Sequence, residues 1–186
     1  MLTFRNGFTR QQAVNVKDVN RCIGSDDSDL LAASYTSGMV RSDVSAPSRL
    51  AWALGLSGLL PFVGLALVLA FAALPGWQAK AGLALLAYGA LIASFLGGIH
   101  WGLAMQGVQP GGLRLVWGVV PSLLVWPAFF MPAGPGLMLV ALVLAACYLV
   151  DRAVYRAAGL QAWLGLRATL TAVAIASCIA GAWAAG

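Results

Sequence analysis

The sequence predicts an all-α integral membrane protein, a bundle of five transmembrane helices with the amino terminus cytoplasmic and the carboxyl terminus outside. Three observations lead there. Of 186 residues, 61% are hydrophobic and 9% are charged, glutamate is absent, and the mean hydropathy is +0.86; a soluble domain carries about 25% charged residues. Apolar stretches of membrane-crossing length recur five times after Arg49. The basic residues between those stretches fall almost entirely on one side.

Residues 1–49 hold eleven of the seventeen charged side chains and read as a polar, disordered tail. The first 38 residues are balanced in charge and contain every asparagine, and no apolar core precedes residue 50, which argues against a secretory signal. Asp26, Asp27 and Asp29 argue against a mitochondrial presequence, since such peptides are poor in acids. Two readings of 1–38 stand: in-frame sequence upstream of a start at Met39, or a cytoplasmic tail.

A bilayer core about 30 Å thick needs about 20 helical residues to cross it. On that ruler residues 50–186 divide into five spans, at about 50–74, 81–105, 113–131, 135–150 and 163–185. The first stops at Pro75-Gly76 and the second at a Gly- and Pro-rich turn. The third contains Pro121 and Pro127, and the fourth is short, ending at Asp151-Arg152. The fifth follows a polar stretch in which Arg152 and Arg156 share a face at i, i+4. Sheets are excluded because no period-two alternation is present and an open strand edge in lipid leaves backbone groups unpaired.

Basic residues near span ends tend to stay cytoplasmic. Five spans put Arg41, Arg49, Arg114, Arg152, Arg156 and Arg167 on one side and only Lys80 on the other. Trp52, Trp77, Trp101, Trp117 and Trp163 fall near span ends, as an aromatic belt requires. The formal charge of +5 arises wholly after residue 38. It is therefore an orientation signal with some attraction for anionic lipid, and a nucleic-acid partner is not expected.

The second span carries the single histidine, His100, in Ser94-Phe-Leu-Gly-Gly-Ile-His-Trp-Gly102. At 100° per residue, Tyr88, Leu91, Ile92, Phe95, Leu96 and Leu103 share a bulky arc. Gly89, Ala90, Ala93, Ser94, Gly97, His100 and Ala104 share a small one. Small faces let membrane helices approach closely, so Gly89, Ala93, Ser94, Gly97 and Gly98 are the candidate packing residues and His100 is expected to point into the bundle.

An ionisable group inside a membrane is a functional candidate and needs a partner. The topology brings Asp151, Arg114 and Arg167 to the level of His100, and Asp151 is the only acid after residue 43. In a structural reading Asp151 pairs with Arg167 or Arg114 while His100 hydrogen-bonds a carbonyl or Ser94. In a functional reading the cluster binds an anion or relays protons, using imidazole chemistry near neutral pH. One histidine and one acid do not make a metal site. Cys22, Cys147 and Cys178 lack a CxxC spacing or a paired base, so neither a disulfide framework nor nucleophilic catalysis is expected, and no cofactor is.

Together Gly58-Leu-Leu-Pro-Phe62, Tyr88-Gly-Ala90, the Ser94–Gly102 segment, Asp151, Ala162-Trp163, Leu166-Arg167 and Leu170-Thr171 carry a resemblance. From about Leu50 to Ala185 the chain resembles the domain of unknown function shared by bacterial inner-membrane proteins and mitochondrial transmembrane protein sixty-nine. It departs from the family pattern at Leu164, where members often carry a second aromatic. The resemblance implies a multi-pass bacterial inner-membrane location and brings no activity or catalytic residue.

The expectation is thus a structural or accessory module that meets the lipid bilayer and associates with itself or with other membrane proteins. The alternative is a small transporter or proton-coupled permease using His100, Asp151, Arg114 and Arg167. Prolines 61, 121, 127 and 132 suit such a transporter, but no inverted repeat accompanies them. An intramembrane enzyme would require a polar cavity around His100, and enzymatic activity is not the expectation.

Overall fold

A computed structural model describes residues 46–71, 75–105 and 112–185. The expectations for residues 1–45, including the tail and the start at Met39, lie outside the described residues. Among those described there are six α-helices, α1 (Arg49–Ser57), α2 (Leu60–Phe71), α3 (Pro75–Met105), α4 (Gly112–Val125), α5 (Ala133–Ala157) and α6 (Leu164–Ala184). Two short 3-10 helices, Trp126–Phe130 and Gln161–Trp163, precede α5 and α6. With α1 continued by α2, and each 3-10 turn added to its neighbour, they form five stretches long and apolar enough to cross a membrane. The described residues are all-helical, and the protein is a multi-pass membrane protein.

The first span is two helices because of Pro61. A proline near the start of a turn has no N–H to give the carbonyl four residues back and its ring crowds that carbonyl, so the ladder breaks at Gly58-Leu59 and restarts at Leu60. The break is stitched from outside: the Tyr88 hydroxyl of α3 donates to the Gly58 carbonyl at 2.8 Å. The Tyr88 ring meets Phe62 edge-on, with centroids 5.0 Å apart. At the other end Ser48 caps α1, its hydroxyl accepting from the Ala51 N–H at 3.2 Å.

α3 is 31 residues long, about 46 Å at 1.5 Å per residue, well beyond the hydrocarbon thickness. Pro121 lies inside α4, and Pro127 falls where α4 tightens into its 3-10 extension.

α5 does not stop at Asp151, as the end of the apolar run suggested, but continues to Ala157. Charged residues end a hydrophobic stretch without ending a helix. What ends α5 is Gly159, at φ +74°. There the Leu160 N–H reaches the Tyr155 carbonyl at 2.8 Å and the Ala158 N–H the Val154 carbonyl at 2.9 Å, a glycine-dependent C-cap.

α5 packs most extensively on α6, and α3 on α4; α2 lies against both α3 and α6. Phe62 and Leu69 of α2, Leu85 of α3, Leu137, Val140 and Leu144 of α5 and Cys178 of α6 fill the core. The outer surface is apolar as well: Leu91, Phe95, Leu123, Leu142 and Leu149 are all about two-thirds exposed. A helix bundle apolar on both its inner and outer faces is suited to lipid.

Candidate functional site

Membrane burial of a carboxylate is costly unless cations and donors surround it. Asp151 meets that requirement from two other helices. It lies on α5 and is wholly buried, and His100, on α3, is 1% exposed. The His100 Nε2 lies 2.9 Å from Asp151 Oδ1. Arg167, in the first turn of α6, donates from Nε to Asp151 Oδ2 at 3.1 Å and from Nη2 to the same oxygen. A carboxylate only accepts, so the imidazole carries its proton on Nε2. Its Nδ1 is buried with no hydrogen-bond partner among the described residues.

The placement follows from helix geometry. His100 is five residues before the end of α3, Asp151 six before the end of α5, and Arg167 three after the start of α6. Each therefore sits roughly 5–9 Å from its own helix end, and all three share one level. Along α5, Cys147 and Tyr155 flank Asp151 at i−4 and i+4, and both are buried. Composition did not mark these two; the i±4 spacing on the face carrying Asp151 is the signal that finds them.

Of the four cluster candidates, His100, Asp151 and Arg167 are joined. Arg114 is half-buried in the first turn of α4. The pairing of Asp151 with Arg167 agrees with one expectation, whereas His100 takes the carboxylate itself rather than a carbonyl or Ser94. Ser94 is exposed and its hydroxyl bonds the Ala90 carbonyl of its own helix at 3.0 Å.

The packing candidates divide similarly. Gly89, Ala93 and Gly97 are buried. A Cβ at Gly97 would run into the Gly118 carbonyl of α4, and one at Gly118 into the Trp101 ring. Trp101 closes that contact by donating Nε1–H to the Leu115 carbonyl at 2.9 Å. Gly98 corrects the expectation: it is exposed, and a Cβ there meets nothing within 4 Å, because the next residue along a helix is turned by about 100° from its neighbour. Leu96, assigned to the bulky outward arc, is 4% exposed and belongs to the core, since the faces of α2 and α5 wrap more of α3 than its small arc.

A family model described as a protein of unknown function, DUF3429, matches residues 47–183. The chain is also similar to Transmembrane protein 69 of Xenopus tropicalis, 40% identical over 78 residues, a match covering 40% of this chain and 30% of that protein. It thus spans under a third of that relative's length. No solved structure matches.

Proposed function

The chain belongs to the DUF3429 family of unknown function, and from that premise we propose that it is a structural or accessory module of a membrane assembly. One observation carries this reading: the only described acid outside the chain's first 45 residues is saturated from within, its carboxylate closed by His100 and Arg167 at full burial. A group so placed ties α3, α5 and α6 together at one end of the bundle. The lipid-facing sides of the helices are then left for association with a second copy or with other membrane helices.

The distribution of basic residues supports placing the amino terminus and the triad on the cytoplasmic side, and a bacterial inner membrane is the location proposed with it. Co-purification in mild detergent tests the module reading. The native protein should migrate as a complex with itself or with other membrane proteins, and a strictly monomeric, partnerless protein would count against it.

A proton-coupled permease is the second reading, and one feature favours it: the Nδ1 of His100 is buried with no hydrogen-bond partner among the described residues. Proton flux in reconstituted vesicles separates the two readings.

A further inference from the structure

A groove of about 190 Å³ opens on the flank of the bundle between α1–α2, α3 and α6. Its floor is Phe62 and Leu144, each 1% exposed, and its rims are Leu54 and Phe95, 63% and 66% exposed. Arg167 and Thr171 are the polar side chains of its lining. The groove is therefore apolar over most of its length and polar along one side of α6. From Arg167 to Ala174, both in the lining, it follows α6 for about 10 Å at 1.5 Å per residue.

The polar end is also the positive end. α1 and α6 run in parallel there, with Gly55 of α1 facing Leu166 and Leu170 of α6, so two helix N-termini emerge side by side. Each carries a partial positive charge. Arg49, exposed, opens α1 and lies about 7 Å beyond Leu54 along the axis. Arg167 is balanced by Asp151, and the C-terminus of α3 at the same end offsets one of the two helix N-termini, so this surplus comes from Arg49 and the other N-terminus. An occupant must then combine a flexible apolar tail with an anionic head and must enter from the side, through lipid-exposed rims.

We propose that this groove seats an acyl chain of one anionic phospholipid, its phosphate at the level of Arg49 and Arg167. Basic pockets between membrane helices commonly hold such headgroups. The site is independent of whether the module associates with partners or moves protons.

The test is native mass spectrometry of the full chain in mild detergent, titrated with phosphatidylglycerol or with phosphatidylcholine of the same acyl chains. One basic side chain and one uncompensated helix N-terminus supply about a tenfold preference for the anionic lipid, so one phosphatidylglycerol should be retained at about a tenth of the phosphatidylcholine concentration. Arg49→Glu should erase the preference and leave one lipid bound. Ile92→Trp, which fills the groove from α3, should lose the bound lipid, and Leu54→Trp at the exposed rim should do the same if Ile92→Trp does not fold. Glycerol phosphate without acyl chains should not displace the lipid. Equal retention of the two lipids by the native chain, undiminished binding in the groove-filling variants, or displacement by glycerol phosphate would each overturn the proposal.

Discussion

His100 and Asp151, 51 residues apart in sequence, meet at 2.9 Å in the interior of the bundle. Because each lies on a different helix, and Arg167 closes the other carboxylate oxygen from a third, the contact fixes how α3, α5 and α6 are rotated about their own axes. A helix in lipid has little hydrophobic reason to prefer one rotation over another, whereas a buried carboxylate with two partners accepts only one.

Breaking this cluster should be worse than removing it. Asp151→Ala leaves the Arg167 guanidinium, 11% exposed, without its carboxylate and His100 buried beside it, which should cost about 3 kcal/mol. The triple variant His100→Leu, Asp151→Leu, Arg167→Leu should recover most of that loss, since apolar side chains of similar volume pack without a desolvation penalty. Thermal unfolding in detergent, followed by circular dichroism, measures both. A triple variant as unstable as Asp151→Ala would mean the ion cluster itself is a net source of stability.

The neighbours Gly97 and Gly98 should respond in opposite ways. Gly97→Leu drives a side chain into the Gly118 backbone and should cost about 1–3 kcal/mol at the least, separating α3 from α4. Gly98→Leu, open on all sides, should change stability by no more than about 0.5 kcal/mol. Melting temperature and monodispersity in detergent report the difference, and equal effects would contradict the assignment of faces.

Tyr88 holds the break between α1 and α2 through a single hydrogen bond to the Gly58 carbonyl. Tyr88→Phe keeps the ring contact with Phe62 and removes only the hydroxyl, for an expected loss of about 0.5–1.5 kcal/mol. Unfolding in detergent measures it, and a loss several times larger would show that the hydroxyl supports more than this carbonyl.

Much of this architecture was legible because the chain is so poor in charge. With one acid and a handful of bases in the membrane domain, Asp151 had few partners to choose from, and the inward face of His100 followed from the glycines and alanines beside it. That Arg167 reaches Asp151 was not legible: Arg167 and Arg114 both lie near the start of a span at the same level, and the rotation of each helix decides which side chains meet. The end of α5 was also hidden, because hydropathy ends at Val150 while the backbone signal, Gly159, comes later. Gly98 and Leu96 show a third limit. A helical wheel gives angles, but how much of the circumference is covered depends on how many neighbours a helix has, and α3 has contacts with α2, α4, α5 and α6.

The basic residues predict where the ends of the chain lie. A reporter active only outside the cytoplasm, fused after Gly186, should be active in a bacterial host. A cytoplasmic reporter at the same position should be silent. The reverse result would invert the bundle and place the triad at the outer face.

The most direct test of the structural role of the triad is proton flux. Vesicles carrying a trapped pH-sensitive dye and the reconstituted native protein, placed across a pH gradient, should leak no faster than protein-free vesicles, and His100→Ala should leave that rate unchanged. Flux above the protein-free rate that disappears in a folded His100→Ala variant would contradict the account and make His100 and Asp151 a proton path.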